Sequence, residues 1–258
     1  MPGPVTPHLS DAQLGDLLAL MHDADSVELK LTLPDADQRA TGAALGVDPL
    51  EAEIRQVFFF DTPDLALNRA GVVVRARRIQ GRDHDSVVKL RPVVPSKLPA
   101  GLRSSPNLGV EVDVIPGAYV CSAAFKRTLG PDVIAEAVHG NRPLRKLFSK
   151  EQRSFFTAHA PEGIGIDDLS ILGPIFVLKV KLQPKTFSRR VVVEMWLYPD
   201  GSRILELSTK CAPGEGIPVA LEVREFLDRK GVVLGEEQQT KTKTALEFYS
   251  AELRAASA

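Results

Sequence analysis

Charged side chains recur at every second position along several stretches of this 258-residue chain, and they are sorted by sign. Glu28 and Lys30 alternate with Val27, Leu29 and Leu31. Arg75 and Arg77, then Lys89 and Arg91, repeat the spacing in two basic segments, and Glu111 and Asp113 repeat it in an acidic one. Lys179 and Lys181 follow, then Glu194 and Glu206. From Arg69 to Arg91 there are seven basic residues and two acids; from Lys179 to Arg190 there are five basic residues and no acid. A spacing of two puts such residues on one face of a β-strand. For any single strand, a solvated outer face explains the pattern. A sheet surface made for solubility would mix signs to gain cross-strand pairs, however, and here the signs segregate. Neighbouring strands that carry only Arg and Lys repel one another unless an anion lies between them. The planar fork of Arg bonds two oxygens of a phosphate at once, and Lys acts as a point charge. Carboxylates supply the oxygen ligands that hard divalent cations take. A basic wall and an acidic wall together suit a metal-bound polyanion such as a triphosphate.

These residues need strands to carry them. Strand patterns are expected at 26–33, 56–60, 72–77, 87–91 and 110–114, then at 153–156, 164–168, 176–182, 191–197 and 204–209. Pro34 is an expected stop, and 35–46 suit a short helix ended near Gly46. Gly81-Arg82-Asp83 and Pro199-Asp200-Gly201 read as hairpin turns. Residues 119–148 read as helical in two pieces divided at Gly130-Pro131, and helices are expected again at 219–230 and about 237–255. Ser10 or Asp11 caps a first helix bearing Leu14, Leu17, Leu18 and Met21. The fold class is α+β: an eight-stranded antiparallel barrel, charged faces inward, with helices outside. Residues 1–25 form a lead-in with a short helix, and 26–258 form one domain. Phe58, Phe59 and Phe60 serve the core and the barrel wall. Ala245, Leu246, Phe248, Tyr249 and Leu253 pack the last helix on the barrel or on a second subunit, which would make a homodimer.

Composition sets the surroundings. With 32 basic and 33 acidic residues the net charge is -1, and 44% of residues are hydrophobic. Such a balance excludes whole-surface attraction to DNA or to an anionic membrane. Cys121 and Cys211 lack metal spacing and fit a reducing, cytoplasmic setting. The N-terminus reads as no signal peptide, and no apolar run reaches membrane-spanning length. The five histidines are scattered, and the sequence holds no G-x-x-x-x-G-K-[ST] loop and no G-x-S-x-G elbow. Trp196 shares a strand face with Glu194; it either stacks on a nucleobase at a tunnel mouth or serves as a partly buried aromatic.

At these same residues the sequence resembles the CYTH family of triphosphate tunnel metalloenzymes, which includes thiamine triphosphatases, inorganic tri- and polyphosphatases, RNA triphosphatases and class IV adenylate cyclases. The family's opening signature is E-x-E-x-K; here it reads Ser26-Val27-Glu28-Leu29-Lys30, with Ser in place of the first Glu. Phe58 through Leu65, Arg69-Ala70-Gly71 and Arg75-Ala76-Arg77 are similar to its second and third strands. Lys89 and Arg91, then Glu111 and Asp113, follow in the family's order. Lys179 and Lys181 with Glu194 and Glu206 are the preferred match to its closing strands; Arg153 and Asp167 are the other mapping. Gln239 to Lys243 resembles the start of the family's terminal helix. The resemblance implies catalytic roles for Lys30, Arg75 and Arg77 and phosphate contacts for Lys89, Arg91, Lys179, Lys181 and Arg69. It implies Mg²⁺ or Mn²⁺ on Glu28, Glu111, Asp113, Glu206 and Glu194. The implied activity is a metal-dependent tri- or polyphosphatase acting on tripolyphosphate, polyphosphate or a nucleoside or thiamine triphosphate. A non-catalytic polyphosphate or nucleotide binder is the alternative that Ser26 raises, since a hydroxyl brings no negative charge; an adenylate cyclase is the third.

Overall fold

Alternation beginning at Ser26 does build a strand, and the computed structural model continues it into a closed barrel. The structure describes residues 9–33, 37–232 and 241–256. The first eight residues, Pro34 and residues 237–240 at the expected start of the last helix lie outside the described residues. The strands are β1 (Ser26–Leu33), β2 (Glu53–Asp61), β3 (Val72–Ile79), β4 (His84–Leu90), β5 (Leu108–Ile115), β6 (Ala118–Leu129), β7 (Ser170–Leu182), β8 (Val191–Leu197) and β9 (Arg203–Cys211). They close in the order β1-β5-β6-β4-β3-β2-β7-β8-β9. All neighbours are antiparallel except β1 and β5, which pair in parallel with Ser26 opposite Glu111 and Glu28 opposite Asp113.

The barrel therefore has nine strands rather than eight and is mixed rather than wholly antiparallel. The extra strand is β6, where the alanines and Ser122 suggest a helix. Gly117 takes a positive φ of 74° and turns the chain straight back from β5. Once paired, Cys121, Ala123 and Phe125 are buried on the outward side. Pairing and burial override the local preference of small residues. The opposite error occurs at Arg153–Phe156, expected as strand. These residues lie in the helix Lys150–His159, which starts at a capping box between Ser149 and Gln152 and buries Phe155 and Phe156. Ile166–Asp168 is a short 3₁₀ turn. The mapping through Arg153 and Asp167 falls with these two strands: Arg153 donates to the Phe148 carbonyl and Asp167 pairs with Arg145 on the surface.

Helices α1 (Asp11–His22), α2 (Gln38–Leu45), α3 (Ala66–Arg69), α4 (Ala100–Arg103), α5 (Val133–Val138), α6 (Lys150–His159), α7 (Gly216–Arg229) and α8 (Lys241–Ala256) surround the wall. Among the described residues no helix is long and apolar enough to cross a membrane. Ser10 caps α1, and Gly46 ends α2 in the left-handed conformation. Two apolar clusters lie outside the barrel. One joins Val27, Phe58, Phe60, Val74 and Val112 to α1, α5 and α6; the other joins Val193, Leu205 and Leu207 to α2 and α7. A third cluster lies inside one end. There Val57, Phe59, Val73, Ile175, Val177, Trp196 and Ile204 meet Ala245 and Leu246 of α8. Phe58, Phe59 and Phe60 are all buried, and alternation sends the middle ring inward. Burying each ring contributes about 1.5–3 kcal/mol. Tyr249 of α8 anchors the plug by donating to the Pro174 carbonyl at 2.8 Å.

Candidate functional site

Side chains that alternate with the two outer cores fall on the inner face of the wall. By that register the lumen receives Glu28 and Lys30 from β1, Arg55 from β2, Arg75 and Arg77 from β3, and Asp85 and Lys89 from β4. Glu111 and Asp113 come from β5, Lys179 and Lys181 from β7, Glu194 from β8, and Glu206 from β9. The lumen is graded along its length. Its apolar end is packed by α8, its middle is buried charge, and at its far end Lys126 and Lys210 are 59% and 57% exposed to solvent.

The acidic group lies where β1 and β5 run side by side. Ligand oxygens of Glu28, Glu111 and Asp113 lie within 4.8 Å of one another. Lys30 Nζ is 2.6 Å from Asp113 and 3.1 Å from Glu28, Lys89 Nζ is 3.6 Å from Asp113, and Lys210 pairs with Glu111. Burial alone would raise the Asp113 carboxyl, but Lys30 and Lys89 outweigh it and hold it at about 2. Glu28 is likewise below the ordinary carboxylate value. Burial works against the Lys30 ammonium, yet Glu28, Asp113, Glu206 and Glu111 together hold it well above the ordinary lysine value. The Ser26 hydroxyl donates to Glu111 at 3.3 Å.

The basic group faces it from β2 and β3. Arg77 forms a two-pronged bond to Asp85 at 2.8 and 2.7 Å. Arg55 pairs with Glu53 at 2.6 Å and lies 3.8 Å from Glu194. Arg75 follows Arg77 toward the α8 end of the same wall, and its buried Nε has no hydrogen-bond partner. Burial, with Arg77 and Arg55 adding repulsion, pushes its guanidinium downward. Asp85 and Glu194 oppose this only in part, and no carboxylate pairs with Arg75 directly. Lys89 and Arg91 are also lowered, burial being the first cause for each. Arg91 is fixed by backbone: its amide donates to the Gly71 carbonyl at 2.8 Å, and a Cβ at Gly71 would collide with the Arg91 carbonyl.

A third group joins β7, β8, β9 and α8. Lys179 pairs with Glu194 at 2.9 Å, and Lys241 reaches both Glu194 and Glu206 at 2.6 Å. Burial would raise Glu194, but Lys241 and Lys179 hold it well below the ordinary carboxylate value. Trp196 is buried beside them, donating to Glu194 at 3.3 Å, with its ring centroid 5.0 Å from Lys241 Nζ. It is thus a buried aromatic of the sealed end, away from the open mouth.

The barrel thus brings together all the expected residues but two. Arg69 is 60% exposed and pairs with Asp64 at the surface, because α3 turns it outside the wall. Lys181 lies exposed at the open rim. Residues that the sequence reading passed over are Arg55, Glu53, Asp85, Lys126, Lys210 and Lys241. Arg55 and Glu53 precede the point where β2 was expected to begin, though they continue its alternation. Asp85 falls between the turn at 81–83 and the strand expected at 87–91, whereas β4 in fact starts at His84.

No family model and no curated protein matches the sequence. Solved structures do. A proposed adenylyl cyclase from Hippeastrum with a dominant triphosphatase activity matches with a TM-score of 0.59 at 16% identity, over 84% of this chain and 93% of that one. A proposed adenylate cyclase from Bacillus halodurans matches with a TM-score of 0.59 at 12% identity, over 85% and 97%. At such identities the likeness is one of architecture, and the chain shares the fold of these two proteins.

Proposed function

We propose that the chain is a divalent-metal-dependent phosphohydrolase that takes inorganic tri- or polyphosphate, or a triphosphorylated small molecule, into the open end of the barrel. Residues 26–258 act as one tunnel unit in this reading. The observation that carries it is Arg75: a half-buried guanidinium with a buried, unpartnered Nε, in line with Arg77 and Arg55 along one wall, is a place built for an anion. Lys30 and Lys89 extend the cationic surface toward the carboxylates of Glu28, Glu111 and Asp113.

The three carboxylates fit Mg²⁺ or Mn²⁺ in chemistry and spacing, being hard oxygen donors within 4.8 Å. A cation held there supplies charge neutralisation and a bound water of lowered pKa. The chain's own part is electrostatic. Arg75 and Arg77 hold non-reacting phosphoryl oxygens, and Lys30, beside the carboxylates, stabilises charge on the terminal group. The Hippeastrum protein of this fold, with its dominant triphosphatase activity, supports this reading.

The test is phosphate release from tripolyphosphate, ATP and thiamine triphosphate with Mg²⁺ and with Mn²⁺, cyclic AMP being assayed in the ATP arm. Release that is lost in Lys30→Ala and Arg77→Ala is expected; no release from any of them under either metal overturns the reading. The hydrogen bond from Ser26 to Glu111 favours one second reading, a non-catalytic polyphosphate or nucleotide binder. Turnover that appears only in Ser26→Glu would select it.

A further inference from the structure

Glu194 and Glu206 face each other directly across the β8–β9 pair, and two lumenal carboxylates at that spacing form the second natural seat for a cation. The seat is taken. Lys241 Nζ lies 2.6 Å from Glu194 Oε2 and 2.6 Å from Glu206 Oε1, so one ammonium bridges the pair. The remaining Glu194 oxygen, Oε1, is held by Lys179 at 2.9 Å. Lys241 is itself held from several sides. Its carbonyl accepts from the Tyr198 hydroxyl at 2.9 Å, its ammonium lies over the Trp196 ring, and one turn further along α8 Ala245 and Leu246 are buried in the apolar plug.

The contrast with Glu28, Glu111 and Asp113 is one of tethering. There the ammonium of Lys30 approaches from the same strand as Glu28, and its head can swing toward an incoming phosphate on a four-carbon stem. At Glu194 and Glu206 the ammonium projects from a helix whose withdrawal would unpack the end of the barrel. Mg²⁺ demands near-octahedral oxygen ligation at about 2.1 Å, and oxygens already committed to ammonium and indole donors do not offer it.

We infer that Lys241 is a tethered counter-ion that occupies the cation position between Glu194 and Glu206, so that the tunnel takes one divalent cation, at Glu28, Glu111 and Asp113. The inference rests on the metal-dependent reading above and makes Lys241 a positioning residue. It fixes metal stoichiometry and couples the seating of α8 to the lumenal charge.

Mn²⁺ binding to the full chain, counted by calorimetry and by the spin-resonance signal of free Mn²⁺, tests it without an activity assay. One equivalent is expected on the wild-type chain, one on Lys241→Arg and two on Lys241→Met. Glu206→Gln, which keeps the side chain's shape, is expected to retain one equivalent, and it serves if Lys241→Met does not fold. Two equivalents on the wild-type chain, one on folded Lys241→Met, or loss of Mn²⁺ in Glu206→Gln each overturns the inference and leaves the phosphohydrolase reading standing. No Mn²⁺ on any chain overturns the metal-dependent reading along with it.

Discussion

Ser26 and Glu111 sit opposite each other where β1 and β5 run parallel, and the Ser26 hydroxyl donates to the Glu111 carboxylate at 3.3 Å. The single parallel seam of the barrel thus supplies its densest group of acids, with a hydroxyl at its edge. Ser26→Glu adds a carboxylate there. We expect about tenfold tighter Mn²⁺ binding, equivalent to about 1.4 kcal/mol, measured by calorimetry. Unchanged affinity would show that position 26 lies outside the reach of the cation.

Arg75 and Arg77 are two residues apart on one strand face, yet their removal should have opposite effects on stability. Arg77→Ala strips Asp85 of its two-pronged partner and should lower stability by about 3 kcal/mol, because a buried carboxylate loses its chief counter-charge. Arg75→Ala removes a half-buried cation that has no carboxylate within pairing distance, so the melting temperature should hold or rise. Both should weaken tripolyphosphate binding, by about 1.5–3 kcal/mol for Arg75. A clear fall in melting temperature for Arg75→Ala would contradict the anion-site assignment.

Arg69→Ala is the control. The pair with Asp64 is exposed on both sides, and such pairs contribute about 0–1 kcal/mol. Phosphate release and melting temperature should stay at wild-type values. A large loss of release would bring α3 into the binding surface.

Acid should unfold the protein through Asp113. Its carboxyl is held at about 2 in the folded chain, against an ordinary value of 3.8. A depressed folded value contributes stability that is fully present above the ordinary value and is lost as pH falls through about 2. The loss should amount to about 2 kcal/mol between pH 5 and pH 2, read from urea midpoints. Asp113→Asn should flatten this dependence, and an equally steep fall in that variant would assign it elsewhere.

Much of the barrel can be read from alternation, because an inner face of charge and an outer face of Val, Leu and Phe produce a clean period of two. β1, β3, β5, β7, β8 and β9 are legible in this way. β6 is not: its inward positions include Ser122 and Ala124, which carry neither charge nor bulk, so its strand period is silent. Arg153–Phe156 misleads for the converse reason, since aromatic residues suit a strand and the capping box that makes α6 starts at Ser149. Within the site, residues on clear strands were visible one by one. Lys241 was legible only as part of the start of the last helix, because nothing local says that a helix over 200 residues from Glu28 sets its first side chain against Glu194 and Glu206.

The apolar plug at α8 makes the barrel a blind channel. Among the described residues Phe59, Trp196 and Ala245 fill that end, so under the proposed reading a ligand enters and leaves by the other. If the proposed phosphohydrolase reading holds, a long phosphate polymer is not threaded through and out but shortened from its terminus, and each shortened chain backs out past the lysines of the rim. Traffic through one doorway makes release of product compete with entry of substrate, and a short chain, which fits wholly within the charged middle, gains most from such a cul-de-sac.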